Sequence, residues 1–352
     1  MAKDLVLLTG GTGFLGYSVL VELLKSGYRV RAAVRSASKI NQVLDAPSIK
    51  SLSLLDDDLS FFTVPDMAAS GAYETAIQGV QYVVHVASPI PTFGNGEPWV
   101  EGETDSFVER SKQSVLNILE SAKTTGNDGV RRVVMTSSTV VLFPFSVVDG
   151  DAEALNTVYG PEDRQPVPPG PYQSENEAYV AGKRAAIICA EEFMKTNGTS
   201  FDMISILPSW IFGAHELVTD AAGLRKNSSN ALLVNLLSGS KNNVPYVGSA
   251  VLCSDAAKAH VGALDPCVEG GQSFIVNTPM EWETAIAIAQ KKFPDAFHKG
   301  HLRDDGKQPS IQLTIDSAKS RKVLGLEMAS YDIMVGELMG QYLQYLNTDR
   351  KG

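Results

Sequence analysis

The glycine-rich stretch Thr9-Gly10-Gly11-Thr12-Gly13-Phe14-Leu15-Gly16 decides the fold of this chain. It follows the apolar run Leu5 to Leu8 and precedes apolar residues at helical spacing, which predicts a strand, a tight turn and a helix. Glycines permit the turn, let a pyrophosphate approach the backbone and seat the helix closely on the strand. Because a helix N-terminus also favours negative charge, we predict a dinucleotide site here rather than a purely structural turn.

Apolar runs and helical segments alternate beyond this turn. Further strands are predicted at Val30 to Val34, Phe61 to Val64, Tyr82 to Val86, Val133 to Met135 and Met203 to Leu207. Helical segments are predicted near 71–78, 104–124 and 175–196. Strands that alternate with helices imply an α/β fold with a Rossmann-type doubly wound parallel sheet.

The end of the second strand indicates which dinucleotide is bound. An acidic residue there would bind the ribose 2′-hydroxyl of NAD, whereas an arginine accommodates the 2′-phosphate of NADP. This chain has Arg35, followed by Ser36 as a hydroxyl donor and Lys39 one turn on. We therefore predict NADPH or NADP+ as cofactor, against the alternative of three solvated surface residues. Asp66, beside Met67 after the third strand, is a candidate for the adenine edge and equally for a helix N-cap.

The chain is predicted to divide into two parts. Residues 1–207, with about 244–265, are assigned to an NADP-binding Rossmann domain that includes a long proline-rich loop at 143–171. Residues from about 208–243 and 266–352 are assigned to a smaller, mainly C-terminal substrate-binding lobe and C-terminal helices, interleaved with the sheet domain. Helices are predicted near 228–239, 255–264, 281–292 and 331–346, divided between the lobe and the last layer of the sheet domain, with a further helix start at Asp316 or Ser317. The loop at 143–171 is either a cover of the active site or a solvated insertion.

Composition excludes several classes of function. The net charge of the 352-residue chain is −10 and its basic residues are dispersed, so we expect no nucleic-acid partner. Three cysteines, Cys189, Cys253 and Cys267, lack metal-ligand spacing, which predicts reduced, mostly buried thiols and no metal site. The predicted first strand leaves no room for a leader peptide, and no run of about 18 apolar residues occurs. We expect a cytoplasmic protein without a membrane partner.

Tyr179 and Lys183 lie four residues apart in a predicted helix and therefore share one face. An ammonium beside a phenol lowers the phenol pKa, which would make Tyr179 a proton donor. The spacing alone occurs by chance, but Ser138 also ends a predicted strand at the edge where ligands bind in such sheets. A hydroxyl there can bind a carbonyl oxygen. Ser138, Tyr179 and Lys183 are thus the candidate catalytic residues.

Together these motifs resemble the extended branch of the short-chain dehydrogenase/reductase superfamily, in particular its dihydroflavonol reductase-like group and fungal aldehyde and ketone reductases. The resemblance covers most of residues 4–265. It rests on Thr9 to Gly16, Val34 to Lys39, Asp66-Met67, Gly71 to Tyr73, His85 to Pro89, Thr136 to Val140, Tyr179 to Lys183, Leu207-Pro208 and Gly213. In many relatives a Gly-Thr pair precedes the asparagine matched by Asn117, where this chain has Ser114 and Val115. Asn117 is a weak candidate for a proton relay.

The resemblance implies NADPH-dependent reduction of an aldehyde or ketone to an alcohol. Tyr179 would act as general acid, Ser138 would orient the carbonyl, and Lys183 would bind the nicotinamide ribose while lowering the tyrosine pKa. The implied cofactor-binding residues are Thr9, Gly10, Thr12, Gly13, Phe14, Leu15, Arg35, Lys39, Asp66, Met67, Val86, Ala87, Ser88, Ser137, Tyr179, Lys183, Pro208 and Ser209. The partner is a small-molecule carbonyl compound, and the protein is a monomer or homodimer.

Two other functions remain open on the sequence. A sugar-nucleotide epimerase or dehydratase uses the same tyrosine and lysine, although Arg35 argues against its usual NAD. A non-catalytic NADP-binding regulator would commonly lose Tyr179 or Lys183, and both are present. A general detoxifying reductase and a ketoreductase of secondary metabolism would share every residue named above.

Overall fold

The computed structural model of the chain describes residues 3–90, 103–172, 174–226 and 228–349. The strands are β1 Leu5–Thr9, β2 Arg29–Val34, β3 Leu59–Thr63, β4 Tyr82–His85, β5 Arg132–Thr136, β6 Val158–Tyr159, β7 Asp202–Pro208, β8 Trp210–Phe212, β9 Tyr246–Val247, β10 Ser249–Leu252, β11 Ser273–Val276, β12 Thr278–Pro279, β13 Ser310–Ile311 and β14 Thr314–Ile315. The α-helices are α1 Phe14–Lys25, α2 Ile40–Leu44, α3 Pro47–Ser51, α4 Glu103–Thr124, α5 Ala152–Asn156, α6 Glu175–Thr196, α7 Asn230–Leu236, α8 Cys253–Gly262, α9 Thr284–Lys292, α10 Pro294–His298, α11 Ala318–Leu324 and α12 Tyr331–Asp349. Short 3-10 helices span Ala37–Lys39, Thr139–Val141, Phe145–Val147 and Gly223–Arg225.

A seven-stranded sheet in the order β11-β7-β5-β4-β1-β2-β3 forms the centre of the molecule. Its neighbouring strands are all parallel. From β1 the chain builds outward first through β2 and β3 and then, on the other side, through β4, β5 and β7, so the winding direction reverses between β1 and β4. Such a reversal opens a crevice at the carboxyl ends of the strands, which is where ligands bind in doubly wound sheets. The predicted fold class is confirmed.

Alternate residues of each strand pack against helices on opposite faces of the sheet, because successive side chains of a strand point to opposite faces. In β1, Val6 and Leu8 join a core with α1 and α8, whereas Leu5 and Leu7 join the core beneath α4 and α6. All five residues of β1 are buried, as expected of a parallel strand covered on both faces. Helix α6, which carries Tyr179, contributes Ala186, Ile187, Ala190 and Phe193 to the second of these cores.

A smaller lobe adjoins the carboxyl edge of this sheet. The three-stranded sheet β12-β10-β8 packs with α7, α9 and α12 around the buried ring of Trp282. The stretch 266–352, which the sequence analysis assigns to the lobe, also supplies β11, and this strand pairs with β7 in the central sheet. The chain thus returns to the dinucleotide-binding sheet after the lobe has begun.

Other local expectations were wrong or incomplete. The helix predicted near 71–78 is a series of turns, in which the Ile77 amide bonds the Tyr73 carbonyl once before the chain turns again. The loop 143–171 contains α5 and β6, and β6 pairs with β14. Residues Asp316 and Ser317 do precede a helix, and the Asp316 carboxylate accepts the Ala318 amide.

Three further observations concern the cysteines, the side chains that could bind a metal, and the helices. All three cysteines are free, as predicted, but they are not mostly buried: Cys253 is buried, Cys189 is half-buried and Cys267 is exposed. Among the described residues no His, Cys, Asp and Glu side chains cluster in a way that could hold a metal ion. None of the described helices combines the length and the apolar character needed to cross a membrane.

Candidate active site

A cavity of about 830 Å³ lies at the carboxyl ends of the central strands and extends towards the lobe. The predicted site residues that line it are Gly10, Thr12, Gly13, Phe14, Leu15, Arg35, Met67, Val86, Ala87, Ser88, Ser137, Ser138, Tyr179, Lys183, Pro208 and Ser209. Thr9, Lys39 and Asp66 are not part of its wall. The structure therefore brings the three catalytic candidates and most cofactor candidates into one cavity.

The glycine turn forms a cradle with little space for side chains. Gly10 has a φ of +76°, which favours glycine, and a Cβ atom there would lie 2.8 Å from the Ala87 nitrogen. A Cβ atom on Gly16 would collide with the Gly10 carbonyl. Helix α1 begins directly after this turn and carries no acidic residue in its first turn. Its amide groups and dipole are thus available to an anion, and the turn fits a pyrophosphate.

Thr9 supports this cradle from below. Its Oγ1 accepts a hydrogen bond from the Ala87 amide (3.0 Å) and lies 2.9 Å from Nδ1 of the buried His85. Burial lowers the pKa of His85 to about 3, so the imidazole is neutral. Uncharged polar groups therefore join the ends of β1 and β4. Thr9 does not line the cavity itself but positions Ala87, which does.

Arg35 lies at the exposed end of β2 and lines the cavity. Among the described residues its guanidinium has no ion pair, and it therefore remains available to a phosphate. Lys39 instead bonds the Gln42 side chain at 3.3 Å, and the hydroxyl of Ser36 pairs with that of Ser38. Their predicted roles towards a 2′-phosphate stay predictions.

The segment after β3 is held by a side chain from α4. Asn117 donates its amide to the carbonyls of Met67 (3.0 Å) and Ala69 (2.9 Å). This contact positions Met67 at the cavity wall, and the suggested relay role of Asn117 stays a prediction. Asp66 accepts the Ala68 amide and lies 3.7 Å from Arg110, so it caps a turn rather than a helix.

Ser138 and Tyr179 meet inside the cavity. Ser138 follows β5 in an extended conformation, and α6 presents Tyr179 towards it after starting at the N-cap Ser174. Burial raises the pKa of the Tyr179 phenol, and the hydrogen bond with Ser138 opposes that shift. The phenol is thus protonated at neutral pH and can act as an acid.

Lys183 lies beside this pair. Its ammonium is 5.9 Å from the centre of the Tyr179 ring and donates a weak hydrogen bond to the Thr136 carbonyl at 3.4 Å. Burial lowers the pKa of Lys183 to about 8. The expectation that Lys183 lowers the tyrosine pKa is corrected, because burial dominates and the shift is upward. The lysine is instead a buried donor with few protein partners.

A chain of polar side chains supports the floor of the cavity. Ser209 Oγ lies 3.3 Å from Thr139 Oγ1 and 2.9 Å from Ser249 Oγ, and Asn277 donates to Ser249. Ser137 Oγ is buried and has no hydrogen-bond partner within the described part of the chain. Ser209 therefore lines the site while its hydroxyl belongs to this floor.

The end of the cavity towards the lobe was not predicted from the sequence. Its wall includes the rings of Phe143, Phe145, Trp210 and Tyr246. Trp210 and Tyr246 are in contact, with ring centres 5.5 Å apart. Arg184, beside Lys183 on α6, also lines the cavity. The only available signal was the richness of these segments in aromatic residues, which does not reveal that they converge.

Comparisons with known proteins agree with this arrangement. Residues 6–277 match the model of the NAD dependent epimerase/dehydratase family. The chain is 37% identical to Ketoreductase CTB6 of Cercospora nicotianae over 99% of its own length and 98% of that protein. It is 29% identical to Aldehyde reductase 2 of Sporidiobolus salmonicolor, covering 92% of this chain and 91% of that one. Yeast methylglyoxal/isovaleraldehyde reductase Gre2, solved with NADPH, has a TM-score of 0.79 at 23% identity, covering 97% of this chain and 99% of that one.

Proposed function

Because the chain belongs to the NAD dependent epimerase/dehydratase family, we propose that it is an NADPH-dependent reductase that converts a ketone or aldehyde into an alcohol. The observation that carries this proposal is the meeting of Ser138 and Tyr179 in a cavity that continues to the glycine cradle. The predicted resemblance to short-chain dehydrogenases/reductases is confirmed by the family match. Relatives named as ketoreductase and aldehyde reductase support the reaction class.

The residues fit a nicotinamide dinucleotide. The cradle at Gly10 and Gly16 has no room for a Cβ atom, and the open N-terminus of α1 suits a pyrophosphate. Arg35 at the cavity edge supports the phosphorylated form, NADPH. When bound, this cofactor would supply the hydride. Lys183, which lines the same cavity, would hold the adjoining ribose hydroxyls.

The protein itself would supply orientation and a proton. Ser138 donates a hydrogen bond to the substrate oxygen, and Tyr179 transfers its phenolic proton to that oxygen as negative charge develops there. The raised pKa of Tyr179 keeps the proton on the phenol until it is needed. The aromatic wall towards the lobe suits a ketone with a large apolar substituent, which is compatible with a ketoreductase of secondary metabolism.

The test is an NADPH-oxidation screen against aliphatic aldehydes, diketones and aromatic ketones, with product chirality determined by chromatography. We expect turnover of at least one ketone with a single predominant enantiomer, and faster turnover with NADPH than with NADH. A protein that reduces no carbonyl compound, but releases a rearranged sugar nucleotide with its cofactor unchanged, would overturn the proposal in favour of an epimerase.

A further inference from the structure

Arg184 is a buried cation on the catalytic helix whose role the proposed reaction does not explain. Only 4% of its surface is exposed, and it follows Lys183 in α6. Within the described residues it forms no ion pair with a carboxylate. Burial lowers the pKa of Arg184 to about 10, so it stays charged at neutral pH. A buried charge without an acidic partner requires other polar groups to stabilise it.

Those groups are backbone carbonyls. Arg184 donates to the carbonyls of Phe143 at 2.7 Å, Pro166 at 3.2 Å and Val140 at 3.3 Å. The first two belong to the strap, which we define as residues 143–171, and the third belongs to the 3-10 turn that follows Ser138. One guanidinium therefore joins Phe143 and Pro166 of the strap to the turn that follows Ser138.

The strap forms much of the cavity wall at its substrate end. Phe143, Phe145, Val147, Val148, Pro168 and Pro169 are among its residues that line the cavity. The Arg184 guanidinium lies 5.4 Å from the centre of the Phe145 ring, within the range of a cation–π contact. The same side chain thus holds the backbone of Phe143 and faces the ring of Phe145.

From these contacts we propose that Arg184 is a positioning residue that sets the selectivity of the enzyme for carbonyl compounds with a large aromatic group. It holds the strap against α6, so that the rings of Phe143 and Phe145 keep a fixed distance from Tyr179. A bulky substrate contacts the strap, whereas a small aldehyde reaches Tyr179 without it. This proposal rests on the proposed reductase function.

A second arginine offers a matched control. Arg164 also joins the strap to α6, through Glu191 at 2.6 Å, and donates to the carbonyls of Pro161 and Asp163. It is largely buried but does not line the cavity. Removal of either guanidinium therefore weakens the attachment of the strap, and only Arg184→Met does so next to the substrate.

Steady-state kinetics of Arg184→Met and Arg164→Met with propanal and with 1-acetonaphthone test the proposal. We expect Arg184→Met to raise the KM for 1-acetonaphthone about 10-fold, the order expected for one charge-assisted hydrogen bond. Its KM for propanal should change less than about 2-fold, and Arg184→Lys should recover part of the selectivity. Arg164→Met should leave the ratio of the two KM values unchanged. Equal effects on both substrates, or the same change of ratio in Arg164→Met, would overturn the proposal.

Hydrogen exchange provides a readout that does not need turnover. The Gln165 amide donates to the Val141 carbonyl, and the Leu142 amide donates to the Thr139 carbonyl. We expect Arg184→Met to speed exchange at both amides, and Arg164→Met to leave exchange at the Leu142 amide unchanged. Unaltered exchange in Arg184→Met would refute the positioning role. If the wild-type protein reduces no carbonyl compound but the exchange result holds, the proposed function fails while the attachment of the strap stands.

Discussion

The two halves of the cavity are built in different ways. The half that we propose binds the cofactor, called the cofactor half, consists of strand ends and one glycine turn, in which Gly10, Ala87 and the start of α1 approach one another through their backbones. The half that we propose binds the substrate, called the substrate half, consists of side chains from separate segments, namely the strap, the Trp210 strand and the Tyr246 strand. Tyr179 and Lys183 lie where the two halves meet.

This difference separates what is general in the site from what is specific. A backbone cradle admits hardly any side chain, so substitutions within it affect the binding of every dinucleotide. Side chains from distant segments can be exchanged without disturbing the sheet, so substitutions there change which carbonyl compound fits. Substitutions in the first half should therefore change the affinity for the dinucleotide, and substitutions in the second half should change the preference among carbonyl compounds.

The largest effect is expected at the boundary of the two halves. Tyr179→Phe keeps the ring and its packing but removes the proton, so kcat should fall by about 10³-fold, within the range for loss of a general acid. Because the cofactor half is intact, the dissociation constant of NADPH, measured by fluorescence titration, should stay within about 2-fold of wild type. Undiminished reduction by this variant would remove Tyr179 from the mechanism.

Gly16→Ala is expected to break the cofactor half. The added methyl collides with the Gly10 carbonyl, which cannot retreat without opening the turn, so unfolding free energy should fall by about 3 kcal/mol. Gly340→Ala is the matched control, because the residue is inside α12 and no described atom outside its chain neighbours and the nearby backbone of that helix lies within 4 Å of the new Cβ. That variant should be neutral or more stable by up to about 1 kcal/mol. Urea unfolding of both variants measures the difference, and equal midpoints would contradict the steric argument.

Most of the cofactor half could be predicted from the sequence. Its glycines are adjacent in the chain, and their spacing follows from the same requirement of close approach that the structure shows at Gly10 and Gly16. The positions of Ser138, Tyr179 and Lys183 follow from one strand end and one helical repeat. The direction of the Tyr179 pKa shift was predicted wrongly, because the degree of burial that raises it is a tertiary property.

The substrate half and the pairing of the later strands could not be predicted, for a physical reason. Strand β11 follows a long excursion into the lobe, and neither its four residues nor the short strands β6 and β14 carry enough periodicity to reveal their partners. In the sequence, nothing distinguishes Arg184 from any other arginine on a predicted helix. Its role arises only when the strap folds back and presents the carbonyls of Phe143 and Pro166.

Arg35→Ala tests the recognition of the 2′-phosphate within the cofactor half. Loss of the guanidinium removes a charge-assisted contact to a 2′-phosphate, so the dissociation constant of NADPH should rise about 30-fold. NADH lacks that phosphate, and its affinity should change less than about 2-fold. Lys39→Ala, a nearby cation outside the cavity wall, should weaken NADPH by less than about 3-fold. Equal weakening of NADPH and NADH in Arg35→Ala would remove the argument for phosphate recognition.

The smallest effect concerns the pH dependence of folding in the cofactor half. His260 on α8 is buried, its Nδ1 donates to the Ala256 carbonyl, and its Nε2 therefore accepts from Thr136 at the end of β5. Burial lowers the pKa of His260 to about 4, so below pH 6.5 the unfolded chain takes up a proton that the folded protein does not. Its contribution to stability is complete above pH 6.5 and is lost as pH falls towards 4, reaching a loss of about 1 kcal/mol at pH 5.5.

His260→Gln keeps one donor and one acceptor without a titration near neutral pH. The decrease in unfolding free energy between pH 7.5 and 5.5, measured in urea, should therefore be about 1 kcal/mol smaller in this variant than in wild type. His298→Gln, at an exposed position of α10, should retain the wild-type decrease. If His260→Gln and wild type lose the same stability over this range, the neutral imidazole does not join Thr136 to α8, and the polar attachment of this half is weaker than its geometry indicates.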